Sequence, residues 1–470
     1  MVSGIFFPSR RAVAAGITAS LFPFWPASGQ QPPAAGPAAR GPRTLRAVPV
    51  RRRLSADASS EAELWTFGED TVPVIRVRHG EEVAARLVND TAAPLTLHWH
   101  GVRNLNAMDG VGGLTQAPVP PGGQFEYRFT PPDPGTSLVR PLVLGRSGEP
   151  AGRGLAALLV VEEREPPPVD GEYGLLVRDW GLEPDGALSP FGDTREAALA
   201  GRLGNRLAVA GGDAPSRIEA APGSRLRLRL ANACNARIMR IRFDNLRVLV
   251  GAVDGQPTET FEPLRASLPF PPGTRYDVFV ELPREPGAEG AVTALIGPGV
   301  PLVALKTSAA AAPPAERKPI AAPPANSLLP PEIRLQNALR ASLTIAGGAT
   351  RAPSGDAVFT GDPKAVWTLN GAAGSVASRP LFTAKRGQPV VLAVTNRTGF
   401  PQPLHIHGHV VRQLHPLDDG WEPYWLDTIQ VPEGKTVQVA LLADNPGRWL
   451  IGSTVLERLD TGLWTWFEVA

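Results

Sequence analysis

The stretch Asn445-Pro-Gly-Arg-Trp-Leu-Ile-Gly-Ser-Thr-Val-Leu-Glu-Arg-Leu-Asp-Thr-Gly-Leu-Trp-Thr-Trp-Phe-Glu-Val469 decides how this chain folds. Asn445-Pro-Gly447 is turn chemistry, and the apolar residues that follow are strand-like. Its chemical meaning comes from two histidine pairs far away in the sequence. In Pro403-Leu-His-Ile-His-Gly-His409, His405 and His407 stand two apart. On an extended backbone, residues i and i+2 point the same way, so their imidazoles can converge on one site. His98-Trp-His100 lies about 300 residues upstream and has the same spacing. Side by side, the pairs make a cluster of four imidazoles, which can hold a metal ion or serve as a metal-free, hydrogen-bonded structural group.

With the histidines in view, the C-terminal stretch resembles the signature of the multicopper oxidase family, the laccase-like enzymes. The family pattern is Trp-x-x-His-Cys-His-x-x-x-His-x-x-x-Gly-Met. Trp449 and Gly462 keep its frame, while Gly452, Ser453, Thr454, Arg458 and Leu463 occupy the ligand places. Leu95 to Phe129 is similar to the family's first domain, which continues with Gly-Thr-x-x-Tyr-His-x-His. Here Gly135-Thr-Ser-Leu-Val-Arg-Pro-Leu142 puts Arg140 and Leu142 where those histidines stand. Val253-Asp-Gly-Gln-Pro257 and Pro272-Gly-Thr-Arg-Tyr-Asp-Val-Phe-Val280 resemble the middle domain. The resemblance covers nearly all of residues 60 to 470. It implies an all-β chain of three cupredoxin-like Greek-key β-sandwich domains.

Composition agrees with short strands and tight turns. The chain has 470 residues, enough for two or three domains, and its 49 glycines and 51 prolines exceed a fifth of them. Ser9-Arg10-Arg11, an apolar run from Ala12 to Trp25 and then Pro26-Ala-Ser-Gly29 resemble a twin-arginine export signal over 1–30. The run is broken by Pro23 and too short to span a bilayer comfortably. The layout predicts export to the periplasm, with no integral membrane segment after cleavage. The first thirty residues carry Arg10 and Arg11 and no acid, so without them the formal charge of +2 falls to zero. Nucleic acid is therefore not an expected partner. Six arginines from Arg40 to Arg53 form a local basic patch, read as part of a solvated linker or as a contact to an anionic surface. Cys234, the sole cysteine, excludes an intrachain disulfide and reads as a buried thiol.

Along the chain we expect a disordered linker at 31–45, a first domain at 46–162 and a second at 170–306. An Ala/Pro-rich linker at 307–331 and a third domain at 332–470 follow. Arg225-Leu-Arg-Leu-Arg-Leu230 alternates basic and apolar residues, as a strand with one wet face does.

The resemblance also implies which ligands are lost. The family's mononuclear blue copper site corresponds to Gln402, Ser453, Arg458 and Leu463. A serine offers no soft thiolate and a guanidinium does not ligate copper near neutral pH, so no type 1 copper is expected. Of the eight histidines of the trinuclear cluster, His98, His100, His405 and His407 match four. Arg140, Leu142, Gly452 and Thr454 replace the others. His98 and His405 match the type 2 pair, and His100 and His407 match ligands of the coupled pair. Asp109 matches an acid that in the family helps deliver protons. Here it could instead pair with Arg140 as a plug against metal, or both could be solvated on separate loops. No residue is expected to be catalytic and no cofactor is expected; the alternative is one residual copper or zinc on some or all of the four imidazoles. The expected function is an exported non-oxidase scaffold or binding protein with an envelope or cell-division partner, as for family members that have lost their coppers. The alternative is a copper-dependent oxidoreductase using a residual metal site between domains 1 and 3.

Overall fold

A computed structural model describes residues 6–8, 41–55, 57–69, 72–309, 319–351, 357–415 and 420–470. Most of the expected export signal and residues 31–40 of the expected 31–45 linker lie outside these residues. One exception is Phe6–Pro8, a short strand beside Gly171–Tyr173. The other corrects the linker's end: Arg43–Arg52 is a strand, with Arg43, Thr44 and Leu45 already paired in parallel to Ala85, Arg86 and Leu87. Leu45 and Ala47 are buried, so a strand with apolar alternation continues into the stretch that composition marked as linker.

The described strands form three two-sheet sandwiches. In the first, Ala62–Phe67, Arg43–Arg52, Val83–Asn89 and Gln124–Phe129 face Val74–Arg78, Ala157–Glu162, Gly135–Arg140 and His98–His100. Leu87, Trp99, Tyr127 and Leu159 fill the space between. In the middle sandwich the long sheet has Gly171–Trp180, Arg225–Asn232, Arg275–Glu281 and Arg247–Val253 at its centre. Its partner sheet includes Met239–Asp244, Glu289–Ala294 and Val300–Thr307. In the third, Leu339–Gly347, Gln388–Asn396 and Thr436–Ala443 pack on Trp464–Val469, Gly447–Ser453, Gln402–Ile406 and Thr428–Val431. Trp367, Trp449 and Phe467 anchor that core. Alternating side chains turned to two inner faces are what a sandwich requires.

Arg225, Arg227 and Arg229 depart from the expected wet face: all three are at most 4 % exposed. Arg227 and Arg229 each donate to Asp277 Oδ2 at 2.6 Å, and Arg229 also donates to Thr136 of the first sandwich at 3.0 Å. Glu163 and Glu172 complete the cluster. The period of two located the arginine face correctly, but the first sandwich covers it. The cations are compensated by carboxylates because they are out of water.

Candidate metal centre and its surroundings

The four histidines meet where the first and third sandwiches abut. His98 and His100 lie on an edge strand whose register sets His98 opposite Arg140 and His100 opposite Leu138. His405 lies on a strand flanked by Gly447–Ser453 and Thr428–Val431, opposite Gly452 on one side and Thr428 on the other. The rings of His100 and His405 stack at 3.7 Å, and those of His98 and His407 at 4.1 Å. Single ligand atoms of His98, His100 and His405 lie within 4.8 Å of one another, as do those of His98, Asp109 and His407. The sequence-predicted set is therefore brought together completely, with Asp109 added.

Each ring is held by one nitrogen. His98 Nδ1 donates to the Asp109 backbone oxygen at 2.8 Å, and His405 Nδ1 to the Asp427 backbone oxygen at 3.0 Å. His407 Nδ1 donates to Asp109 Oδ2 at 2.9 Å. Thr428 Oγ1 gives its own proton to Asp427 Oδ1 at 2.7 Å, so it accepts from His100 Nε2 at 2.9 Å. These oxygens fix the tautomers and leave the opposite nitrogen of each ring without a proton. That is how outer partners orient imidazoles for a metal. His98 Nε2 and His100 Nδ1 have no hydrogen-bond partner. Burial holds His100, His405 and His407 below the usual histidine range, which keeps them neutral. Gly110 makes the Asp109 contact possible: its φ is +79°, and a Cβ there would sit 1.9 Å from the Leu97 oxygen.

A charged network from the middle sandwich underlies the histidines. Arg275, fully buried, donates through Nη1 and Nη2 to the two carboxylate oxygens of Asp427. Asp254 accepts from the backbone N–H groups of Asp427 and Thr428 at 3.2 and 3.1 Å. Burial and the neighbouring Asp427 charge push the Asp254 carboxyl up to about 7. For Asp427 the burial is outweighed by Arg275 and the imidazoles, which hold it well below its usual range. Sequence reading missed this network. Asp254 and Arg275 stood in the two middle-domain words, whereas Asp427 had no comparable signal.

Neither expectation for Asp109 and Arg140 holds. Both are buried, and Asp109 bonds His407, while Arg140 Nη1 makes a long 3.4 Å contact to the Thr454 oxygen. Arg140 stands opposite His98 and so shares its face, yet its guanidinium contacts Thr454 of the third sandwich, while Asp109 is tied to His98 and His407. Arg140 Nε and Thr454 Oγ1 have no partner. Leu142 joins Val111, Leu450, Leu456, Leu459 and two tryptophans in an apolar cluster. A Cβ on Gly452 would lie 2.6 Å from Leu459 Cδ1. The places of two further histidines are thus filled with hydrocarbon, and these residues do not fit a trinuclear cluster. What remains are two overlapping groups of ligand atoms, His98 with His100 and His405, and His98 with Asp109 and His407.

The second lost site is filled by a cation. Arg458, 1 % exposed, donates through Nη1 to Gln402 Oε1 and to the Pro401 oxygen, both at 2.8 Å. Its Nη2 donates to the Leu199 oxygen at 3.0 Å. The guanidinium sits 4.9 Å from the Trp367 ring centroid and 5.3 Å from that of Phe400. Ser453 Oγ accepts from the Val455 N–H at 3.1 Å, and Leu463 is buried in the core. Burial lowers the Arg458 guanidinium to about 10, which leaves it charged at neutral pH. A hydroxyl, an amide and a guanidinium that bonds the amide do not fit copper.

Comparison with known proteins agrees with this architecture. Family models described as multicopper oxidase match residues 51–166, 191–289 and 350–470. The chain is 30% identical over 445 residues to the multicopper oxidase MmcO of Mycobacterium tuberculosis, covering 87% of this chain and 83% of that protein. It is 25% identical over 452 residues to Laccase-1 of Botryotinia fuckeliana, covering 87% and 79%. The crystal structure of a multi-copper oxidase from Pseudomonas thermotolerans superposes with a TM-score of 0.80 at 32% identity, over 91% of this chain and 98% of that one. The chain belongs to the multicopper oxidase family, and its domains are cupredoxin-like sandwiches.

Proposed function

We propose that this chain is an exported, non-oxidase scaffold or binding protein that uses the multicopper oxidase fold without its electron relay. The observation that carries the reading is Arg458: a buried guanidinium bonded to Gln402 stands where the family places a copper that accepts electrons. A cation fixed by three oxygen acceptors, beside a serine in place of the cysteine, supports a protein with no type 1 copper. The signal-like stretch with Arg10 and Arg11 supports a periplasmic location, and the likeness to family members that have lost their coppers supports an envelope or cell-division protein as partner.

A second reading has its own observation. Each of the four imidazoles has one nitrogen tied to an oxygen, and two of the opposite nitrogens are bare. His98, His100, His405 and His407 would hold one copper or zinc ion, which would supply Lewis acidity or, for copper, one-electron exchange. Asp109 and Asp427 orient the rings, and Arg275 secures Asp427. This arrangement supports either a metal-stabilised scaffold or a copper-dependent oxidoreductase.

Oxygen uptake separates the two. The purified protein is loaded with copper and mixed with a phenol in an oxygen electrode. We expect no uptake above free copper; sustained uptake that disappears in both His98→Ala and His405→Ala would replace the scaffold reading with the oxidoreductase one.

A further inference from the structure

The arginine-rich segment near the N-terminus ends beside a cavity that the metal centre does not use. Its volume is about 250 Å³, and it lies between the first and middle sandwiches. Arg52, Arg53 and Arg178 line it together with Trp65 and Trp180. Arg52 and Arg53 are exposed and make no ion pair among the described residues. Arg178 is 6 % exposed. Its Nη1 donates to the Gly154 oxygen at 2.6 Å, and its guanidinium lies 5.2 Å from the Trp180 ring centroid. Its Nε and Nη2 are shut off from solvent and have no partner.

The contrast with the rest of the interface is chemical. Arg227 and Arg229, buried between the same two sandwiches, are matched by Asp277, Glu163 and Glu172. Arg178 has no carboxylate. The one acid lining the cavity, Asp213, is taken up by two bonds to Arg206 at 2.9 and 2.6 Å. A buried cation without a counter-charge is costly, and burial lowers the Arg178 guanidinium to about 10. The lining is also apolar: Leu64 and Trp180 belong to one buried cluster against which Leu54 packs. Three guanidinium groups without a carboxylate, two exposed and one buried, line the cavity together with tryptophan and leucine, which matches a ligand with a negative group on a flat apolar body. The guanidinium fork recognises carboxylate and phosphate oxygens alike.

We infer that this cavity binds a small organic anion, an aromatic carboxylate or phosphate monoester, with its charge on the exposed Arg52 and Arg53, the uncompensated Arg178 behind them, and its ring toward Trp65 and Trp180. The site is distinct from the histidine centre and assigns the basic segment a role other than solvation.

Calorimetric titration of the full chain with benzoate and with phenyl phosphate tests this, with neutral benzamide as the matched control. Saturable binding of at least one anion is expected, at least about 10-fold tighter than benzamide, since a charge-assisted pair is lost in the control. Which anion binds identifies the headgroup. Arg52→Ala/Arg53→Ala changes only exposed side chains and should weaken binding by a further ~10-fold with an unchanged melting curve. Arg178→Met, which removes the uncompensated charge behind the cavity, should weaken it in protein whose circular dichroism matches the parent. Equal affinity for benzamide, no saturable binding of either anion, or binding unaffected in Arg52→Ala/Arg53→Ala would overturn the assignment.

Discussion

Replacing Arg458 by methionine tests whether the guanidinium is structural. Methionine keeps most of the volume and the contacts to Trp367 and Phe400 but donates no hydrogen bond. Three acceptors lose their donor: Gln402 Oε1, in a fully buried bond, and the Pro401 and Leu199 oxygens, in partly buried ones. A stranded buried acceptor costs about 1–3 kcal/mol, and water can reach the two partly buried oxygens, which limits their share. Relief from holding a buried cation returns part of the loss. The balance is a destabilisation of about 2–4 kcal/mol. Arg458→Lys keeps the charge but cannot span three acceptors, so it should lose stability as well, by about half as much. The assay is urea unfolding followed by tryptophan fluorescence, because Trp367 and Trp449 belong to the same core. A change below about 1 kcal/mol in Arg458→Met, or a stabilisation, would refute the view that this cation is a built-in replacement for a ligand site.

Three further outcomes follow from the same geometry. Gln402→His/Ser453→Cys/Arg458→His restores the family's ligand types on two strands and a short helix already in place, and copper(II) should then give the intense visible absorption of a thiolate-bound ion; Ser453→Cys alone should not, because Arg458 stays. Asp254, whose carboxyl stands at about 7 against an ordinary 3.8, keeps a proton in the folded state that the unfolded chain has released. Its contribution to stability is therefore lost as pH rises from about 4 to 7, and the stability of Asp254→Asn relative to the parent should increase over that window in denaturation curves. Taking the difference cancels His100, His405 and His407, whose lowered pKa values act with the opposite sign. Asp277→Ala leaves Arg227 and Arg229 without their shared acceptor and should cost about 3–5 kcal/mol, read as a lowered urea midpoint.

Much of this molecule is legible in its sequence because spacing encodes direction. The i, i+2 histidines have to point one way from a strand, and counting from Trp449 to Gly462 is enough to assign Ser453 and Arg458 to ligand places. What spacing does not encode is what covers each face. Period two tells which side of Arg225–Leu230 is basic, but only the packing of the first sandwich makes that side dry. Asp109 and Arg140 look like a pair because both stand near the histidines. The register of His98 against Arg140 does put the cation on the histidine face, but the hydrogen bond it makes goes to Thr454 across the domain boundary, and the carboxylate bonds His407. The Asp254–Arg275–Asp427 network joins residues separated by up to 173 positions, and no local pattern announces it. Apolar filling by Leu142 and Leu459 is equally invisible, since a leucine in a β-sandwich is ordinary until the space it occupies is known.

The central claim is that the family's copper places have been taken over by a guanidinium and by hydrocarbon, leaving room for one ion among the imidazoles. Counting copper per chain by mass spectrometry after exhaustive loading and desalting tests it directly. The account predicts about one copper or none, with any bound ion lost in His98→Ala and His405→Ala. About four coppers per chain, with a thiolate-like visible band, would contradict it.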